Sequence, residues 1–219
     1  MLSETIPFPK QRYDVILADP PWPYDLVGGN FDSQFTKTKK DFDKQFERNG
    51  DSFASVKSAK DHYNVMTLEA IKQLPVKDIS ESNSICYMWI TGPHLPYGAE
   101  VLKAWGFTYS TVAFVWYKEK TNPGFYTMSS VEYCLVGKRG SIPKPRGSRN
   151  ELQFLAEERT YHSAKPEEIR KRITRMHPTQ KRIELFARVK VNKWDHWGNQ
   201  LEGNTLPGVP YIESPILFK

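Results

Sequence analysis

The stretch DVILADPPWPYD, Asp14–Asp25, places two incompatible demands on the backbone. With the preceding tyrosine, its first half reads YDVILA over Tyr13–Ala18, short, apolar and rich in β-branched residues, the pattern of a buried strand. Its second half cannot prolong that strand, because Pro20 and Pro21 have no backbone N–H and a fixed φ. The chain therefore leaves the sheet as a stiff, extended elbow and presents Asp19 and Trp22 at the strand's carboxyl end. Open α/β sheets bind their ligands at that end.

Four further runs carry the same signal: SICYMWI (Ser84–Ile90), TVAFVWYK (Thr111–Lys118), EYCLVG (Glu132–Gly137) and RIELFA (Arg182–Ala187). Most are near-continuous apolar stretches, as strands covered on both faces are. Helix signals lie between them. TLEAIKQL opens on Thr67, a good N-cap. PYGAEVLKAWGF closes on Gly106, a C′ glycine. KPEEIRKRITRM opens with Pro166 in the first turn and two acids behind it. Strands alternating with helices predict an α/β fold, a mostly parallel sheet with helices on both faces. The expectation is a single domain over residues 1–219, with a long polar insertion at about residues 25–61. Residues 138–160 and the tail from Leu201 read as irregular.

A chain of 219 residues, 39% hydrophobic and 26% charged, fits a globular domain with a substantial core. No apolar run approaches the roughly 20 residues that span a bilayer, and MLSETIPFPKQ lacks the apolar centre of a secretory signal. The two cysteines, Cys86 and Cys134, sit in apolar stretches and read as buried free thiols of a reducing cytoplasm. No Cys/His spacing marks a metal site. The formal charge is +6, and basic residues crowd Lys138–Arg149 and Glu167–Arg182. A positive surface suits a polyanion, and it equally suits a solvated face with no partner.

Ordinary nucleotide signatures are absent: there is no GxGxxG and no P-loop lysine motif. What stands out is Asp19-Pro20-Pro21-Trp22 at a strand end. Aspartate before proline is by itself ordinary turn chemistry, and a lone Trp22 is a packing residue. Lys165 is informative separately. If Pro166 begins the helix, Lys165 sits at the N-cap, where a cation faces the helix's positive end. An anion shared between Lys165 and the helix N–H groups resolves that conflict.

ADPPW resembles the signature of the MT-A70 family of adenine methyltransferases, which includes the eukaryotic messenger-RNA writer and bacterial and phage DNA enzymes. HYNVMTLEAIKQLP is similar to the family's tyrosine-containing gate segment and helix, and MWITGPHLPYGAEVLKAWGF to its strand–helix unit. EYCLVGKRG, HSAKPEEI, KRIELFAR and WDHWGNQL resemble its later blocks, in family order from about Asp14 to Leu201. The resemblance implies a Rossmann-like methyltransferase that uses S-adenosyl-L-methionine, with permuted motif order, acting on the 6-amino group of adenine.

The residues suit that chemistry. An aromatic amine is a poor nucleophile because its lone pair is delocalised into the ring. The Asp19 carboxylate and Pro20 carbonyl are acceptors for its N–H hydrogens, and an anionic acceptor helps most as the nitrogen gains positive charge. Pro21 stiffens the elbow. Trp22 offers a stacking face, and Tyr24, His62 and Tyr63 are further candidates for holding the base; an exposed loop histidine is the plain alternative for His62. The resemblance assigns Lys165 to the cofactor's carboxylate and Asn199 and Gln200 to its ribose, with Asp19, Glu184 and Arg188 beside them. Glu184 and Arg188 fall on one side of RIELFAR if that strand is regular.

Three departures from larger members stand out: little sequence before the first strand, Val189-Lys190 where some members place His-Asn, and the length of the polar segment after Asp25. That segment interleaves phenylalanines with lysines, which suits ordering over an unstacked strand; a fixed lid is the alternative. The expected partner is nucleic acid, DNA ahead of RNA, in a bacterial or phage-infected cell, with a homodimer or a related methyltransferase subunit left open. The alternatives are an RNA enzyme of the same family, a cytosine 4-amino methyltransferase and a non-catalytic nucleic-acid-binding subunit.

Overall fold

The computed structural model describes residues 7–23, 66–122, 127–159, 164–198 and 201. The polar segment at 25–61, the candidates Tyr24, His62, Tyr63, Asn199 and Gln200, and the tail beyond Leu201 lie outside the described residues.

In chain order the elements are β1 (Tyr13–Ala18), α1 (Leu68–Gln73), β2 (Ser80–Ile90), a 3₁₀ turn (Gly92–His94) and α2 (Leu95–Ala104). They continue with β3 (Thr108–Asn122), β4 (Ser129–Arg139), β5 (Phe154–Ala156), α3 (Glu167–Met176), β6 (Arg182–Leu185) and β7 (Asp195–Trp197). The strands form one sheet in the order β5-β3-β4-β2-β1-β6-β7. Strand β1 runs parallel to β2 and β6, β6 to β7, and β3 to β5, whereas β4 is antiparallel to both β2 and β3. The sheet is therefore mostly parallel, with β4 alone reversed among the described strands.

The period-2 alternation of each strand divides the core in two. Ile16, Ala18, Cys86, Met88 and Ile90 face α1 and α2, where they meet Ile71, Val101 and Leu102. Val15, Leu17, Ile85, Tyr87 and Trp89 face the other way, toward Ile169 and Ile173 of α3. Helices thus cover both faces of a Rossmann-like sheet. Both cysteines are buried and free. No helix among the described residues is long and apolar enough to cross a membrane.

Local signals hold where they were strongest. The Thr67 hydroxyl accepts from the Ala70 N–H at 3.1 Å and starts α1. Gly106 has φ +84° just past the end of α2. Four expectations change. Residues 138–160 are not a continuous loop: β4 runs on to Arg139 and β5 forms at Phe154–Ala156, held by pairing with β3. Strand β7 was not foreseen; it exists through pairing with β6. Pro166 is the N-cap of α3, not a first-turn residue, so Lys165 sits one position outside the helix. RIELFA stops at Leu185, because Phe186 turns to φ +61°. The regular strand that would align Glu184 with Arg188 therefore does not extend that far.

At the amino end of β6, His177 is buried and shares a 3.0 Å hydrogen bond between its Nε2 and the Tyr87 hydroxyl. Burial, with Arg146 and Arg182 nearby, lowers its pKa from 6.5 to about 4. The folded pKa lies below the unfolded one, so the unfolded chain binds the extra proton between them. His177 therefore contributes stability that is complete above pH 6.5 and lost as pH falls toward about 4, on the order of 3 kcal/mol in all. Denaturant unfolding of wild type and His177→Gln should show a stability difference that shrinks through this window. A pH-independent difference would remove His177 from acid sensitivity.

Candidate functional site

The elbow after β1 is locked to the carboxyl end of β2. The Trp22 N–H bonds back to the Pro20 carbonyl at 2.8 Å, and the Met66 N–H bonds to the Pro21 carbonyl at 3.0 Å. Residues 21 and 66 thus meet at the elbow. One lone pair of the Pro20 carbonyl is already used, leaving the other to accept a ligand's hydrogen. The Trp22 indole donates to the Trp89 carbonyl at 2.9 Å and stacks on the His94 ring, centroids 5.7 Å apart. Trp22 is only 7% exposed, so it forms part of the wall that shapes the elbow, with little free face to offer a base.

His94 completes the lock. Its Nε2 lies 2.9 Å from the Pro23 carbonyl and its Nδ1 2.7 Å from the Thr91 hydroxyl. A carbonyl only accepts, so Nε2 carries the proton and Nδ1 accepts from Thr91. Burial lowers the His94 pKa and favours this neutral ring. The sequence contained the signal, a histidine following the end of a strand in TGPH. Its meaning depended on contacts with residues 22 and 23.

Asp19 leaves β1 with its N–H 3.4 Å from the Leu185 carbonyl of β6. Its carboxylate meets the Lys165 ammonium at 2.7 Å, with side-chain exposures of 20% and 15%. The chain of charges continues inward. Lys165 also lies 3.4 Å from Glu132 of β4, and the other Glu132 oxygen lies 3.4 Å from Lys118 of β3. Burial alone would lower the Lys165 pKa, but Asp19 and Glu132 outweigh it and hold the ammonium above its ordinary range. Burial raises Glu132, and Lys165 and Lys118 together carry it below the ordinary carboxylate range. Two carboxylates and two ammoniums thus alternate across four elements. Lys165 also lies 5.9 Å from the Trp89 ring.

Glu184, on the β6 side of Asp19, is gripped by Arg170 of α3 at 2.7 and 3.0 Å. Burial raises its pKa, and Arg170 offsets only part of that. Arg188 is partly buried, and its charge is felt at Lys165. The structure thus brings Asp19, Lys165 and Glu184 together at the carboxyl ends of β1 and β6 and adds Glu132, Lys118 and Arg170.

This donor set suits an amino-acid headgroup. Lys165 and the first turn of α3, which has no side-chain cap, present positive charge to a carboxylate. Asp19 and Glu184 present acceptors to an amine or hydroxyl.

The basic residues of α3 are spent internally. Arg175 pairs with Glu151 at 2.8 Å and Glu168 at 2.7 Å, and Lys171 with Glu167 at 3.4 Å. Arg172 bonds Glu168 and the carbonyls of Leu152 and Phe154, while Arg182 bonds the carbonyls of His177 and Lys193. These pairs favour the reading of α3 as a charged face matched within the fold.

Lys118 is 4% exposed, so its charge depends on Glu132. Glu132→Gln should destabilise the fold by about 3 kcal/mol, because it leaves a buried cation without its carboxylate. Adding Lys118→Met should recover most of that loss in denaturant unfolding. Additive losses in the double variant would mean that the two charges are not coupled.

The family model of MT-A70 matches residues 51–200. The chain is 43% identical over 207 residues to the Type II methyltransferase M.MunI of Mycoplasma sp., covering 94% of this chain and 85% of that protein. It is 30% identical over 155 residues to the human N(6)-adenosine-methyltransferase catalytic subunit METTL3, covering 64% of this chain and 26% of that protein. A plant N(6)-adenosine-methyltransferase MT-A70-like protein of Arabidopsis thaliana is 28% identical over 152 residues, 22% of its own length. The family match covers more than half of the chain and the similarity to M.MunI nearly all of it, and the chain belongs to the MT-A70 family.

Proposed function

We propose that this chain transfers a methyl group from S-adenosyl-L-methionine to the 6-amino group of adenine in nucleic acid, DNA ahead of RNA. The observation that carries the chemistry is the Asp19 carboxylate, held at the end of β1 by a locked proline elbow and 2.7 Å from Lys165. The preference for DNA rests on near full-length similarity to a bacterial Type II methyltransferase, against about a quarter of the length of METTL3. The adenosine named in METTL3 supports adenine as the base.

When bound, S-adenosyl-L-methionine supplies an electrophilic methyl on a positively charged sulfur. The protein supplies position and charge. Lys165 and the start of α3 hold a carboxylate. Asp19 and the open lone pair of the Pro20 carbonyl accept the two N–H hydrogens of the amine and turn its lone pair outward. As the nitrogen becomes positive, the fixed Asp19 anion stabilises it without reorganising. Trp22 and His94 keep the elbow from relaxing. Glu184 and Arg188, with Asn199 and Gln200, are the candidates for the ribose side, and Tyr24, His62 and Tyr63 for the base.

Incubation with labelled cofactor and unmethylated DNA or RNA, then digestion to nucleosides, tests this directly. Label in N6-methyldeoxyadenosine is expected; label in cytosine, or in RNA alone, would overturn the assignment. Asp19→Ala should abolish transfer while leaving the fold and most cofactor affinity intact, since Lys165 keeps Glu132 as a partner. Near-normal turnover by that variant would sink the mechanism. Lys165→Ala should weaken cofactor binding by roughly 1.5–3 kcal/mol, the worth of a charge-assisted hydrogen bond. Unchanged affinity by calorimetry would take Lys165 out of the cofactor site.

A further inference from the structure

The run Lys138–Arg149 contains five cations and no acid. Arg139 is tied to the carbonyls of Lys77 and Ser80. Lys138, Lys144, Arg146 and Arg149 are exposed and form no ion pair among the described residues. The contrast with α3 is direct, since there the exposed cations Lys171 and Arg175 are matched by glutamates.

The run lies at the opposite end of the sheet from Asp19. Arg139 pairs with Ser84 near the start of β2, whereas Tyr133 pairs with Ile90 at its end. The loop that follows is fixed to the body. The Gly147 and Ser148 N–H groups bond the Met176 and Arg175 carbonyls at 2.9 and 2.8 Å and so cap the end of α3. Gln180 donates to the Pro145 carbonyl at 2.9 Å, and the Ser141 N–H bonds Asn83 at 2.8 Å. A Cβ on residue 147 would lie 2.0 Å from the Arg175 carbonyl, so this approach requires glycine.

From these placements we infer that the loop is a second nucleic-acid contact, holding phosphates of duplex DNA other than those flanking the target base. Cations on a backbone already ordered lose less entropy on binding than cations on a free tail. Arginine's planar fork matches phosphate oxygens. The length of β1, six residues or about 20 Å, separates this surface from Asp19. That exceeds the screening length of about 8 Å at physiological salt, so the two ends do not act on the same phosphates. The identity of the polyanion rests on the methyltransferase reading above.

The test replaces Lys138, Lys144, Arg146 and Arg149 together by glutamine. Cofactor affinity and thermal unfolding serve as controls for folding. Binding to a mixed-sequence duplex of about 40 base pairs is followed by fluorescence anisotropy across a salt series. The slope of log affinity against log salt should become shallower by about 3 to 4, near 0.9 per lost phosphate contact. The Arg146→Gln/Arg149→Gln pair alone should account for about half of that. Turnover on saturating plasmid DNA should equal that of wild type. An unchanged slope would overturn the proposal and leave a solvated surface. Turnover that falls at saturation would overturn it too, placing the loop in the transfer complex. A shallower slope in a protein whose wild type methylates no DNA would support the surface and sink the enzymatic reading.

Discussion

The 2.7 Å contact between Lys165 and Asp19 joins positions 146 residues apart in the chain. Neither charge is comfortable there alone, since a partly buried ion without a partner costs several kcal/mol. The contact therefore requires the end of β1 and the start of α3 to be assembled together, and the second Lys165 contact, to Glu132, adds β4. Glu132 extends the arrangement to β3 through Lys118. The result is an electrically balanced row whose outer member, Asp19, faces the end of the sheet where ligands bind. Moving any one of these elements would strand a charge, so the site's geometry and the fold's integrity are coupled.

Rigidity comes from the prolines together with the contacts around them. Pro20 and Pro21 restrict the elbow, and the Trp22 indole, the Trp89 carbonyl and the neutral His94 ring then fix where it points. Fixed dipoles and charges are the form of catalysis that static structure expresses best, because they need not reorganise as charge develops. The same packing explains why Trp22 belongs to the wall. An indole bonded at its nitrogen and stacked on one face has given most of its surface to the elbow.

Strand β1, the Thr67 cap and the Gly106 terminus could be read from the sequence because each depends on residues within a few positions. The two sheet faces could be read from alternation within single runs. The short strands β5 and β7 could not, since three residues make a strand only when a neighbour supplies the hydrogen bonds. Phe186 gave no warning of its left-handed backbone. At the site, the proline elbow and the start of the helix singled out Asp19 and Lys165, and the resemblance added Glu184 and the cofactor roles. Glu132 and Lys118 carried a weaker signal: acidic and basic residues embedded in otherwise buried strands must find each other. Their pairing depends on strand register, which no local pattern encodes. The basic run on α3 left two readings open, because composition counts its cations without showing the glutamates that pair with them.

Arg172 has a consequence for the sheet as a whole. The Gln153 carbonyl accepts from Val115 of β3, so the carbonyls of Leu152 and Phe154 point the other way, toward what would be the next strand. Arg172 fills that place, donating to both at 2.6 and 3.0 Å. Its guanidinium imitates the paired donors of an incoming chain. Without it, this border would offer unpaired carbonyls beside Leu152 and Phe154, 72% and 55% exposed, which is a template for strand addition and aggregation. One arginine from the covering helix thus occupies the hydrogen-bonding positions at this border and ends the sheet there.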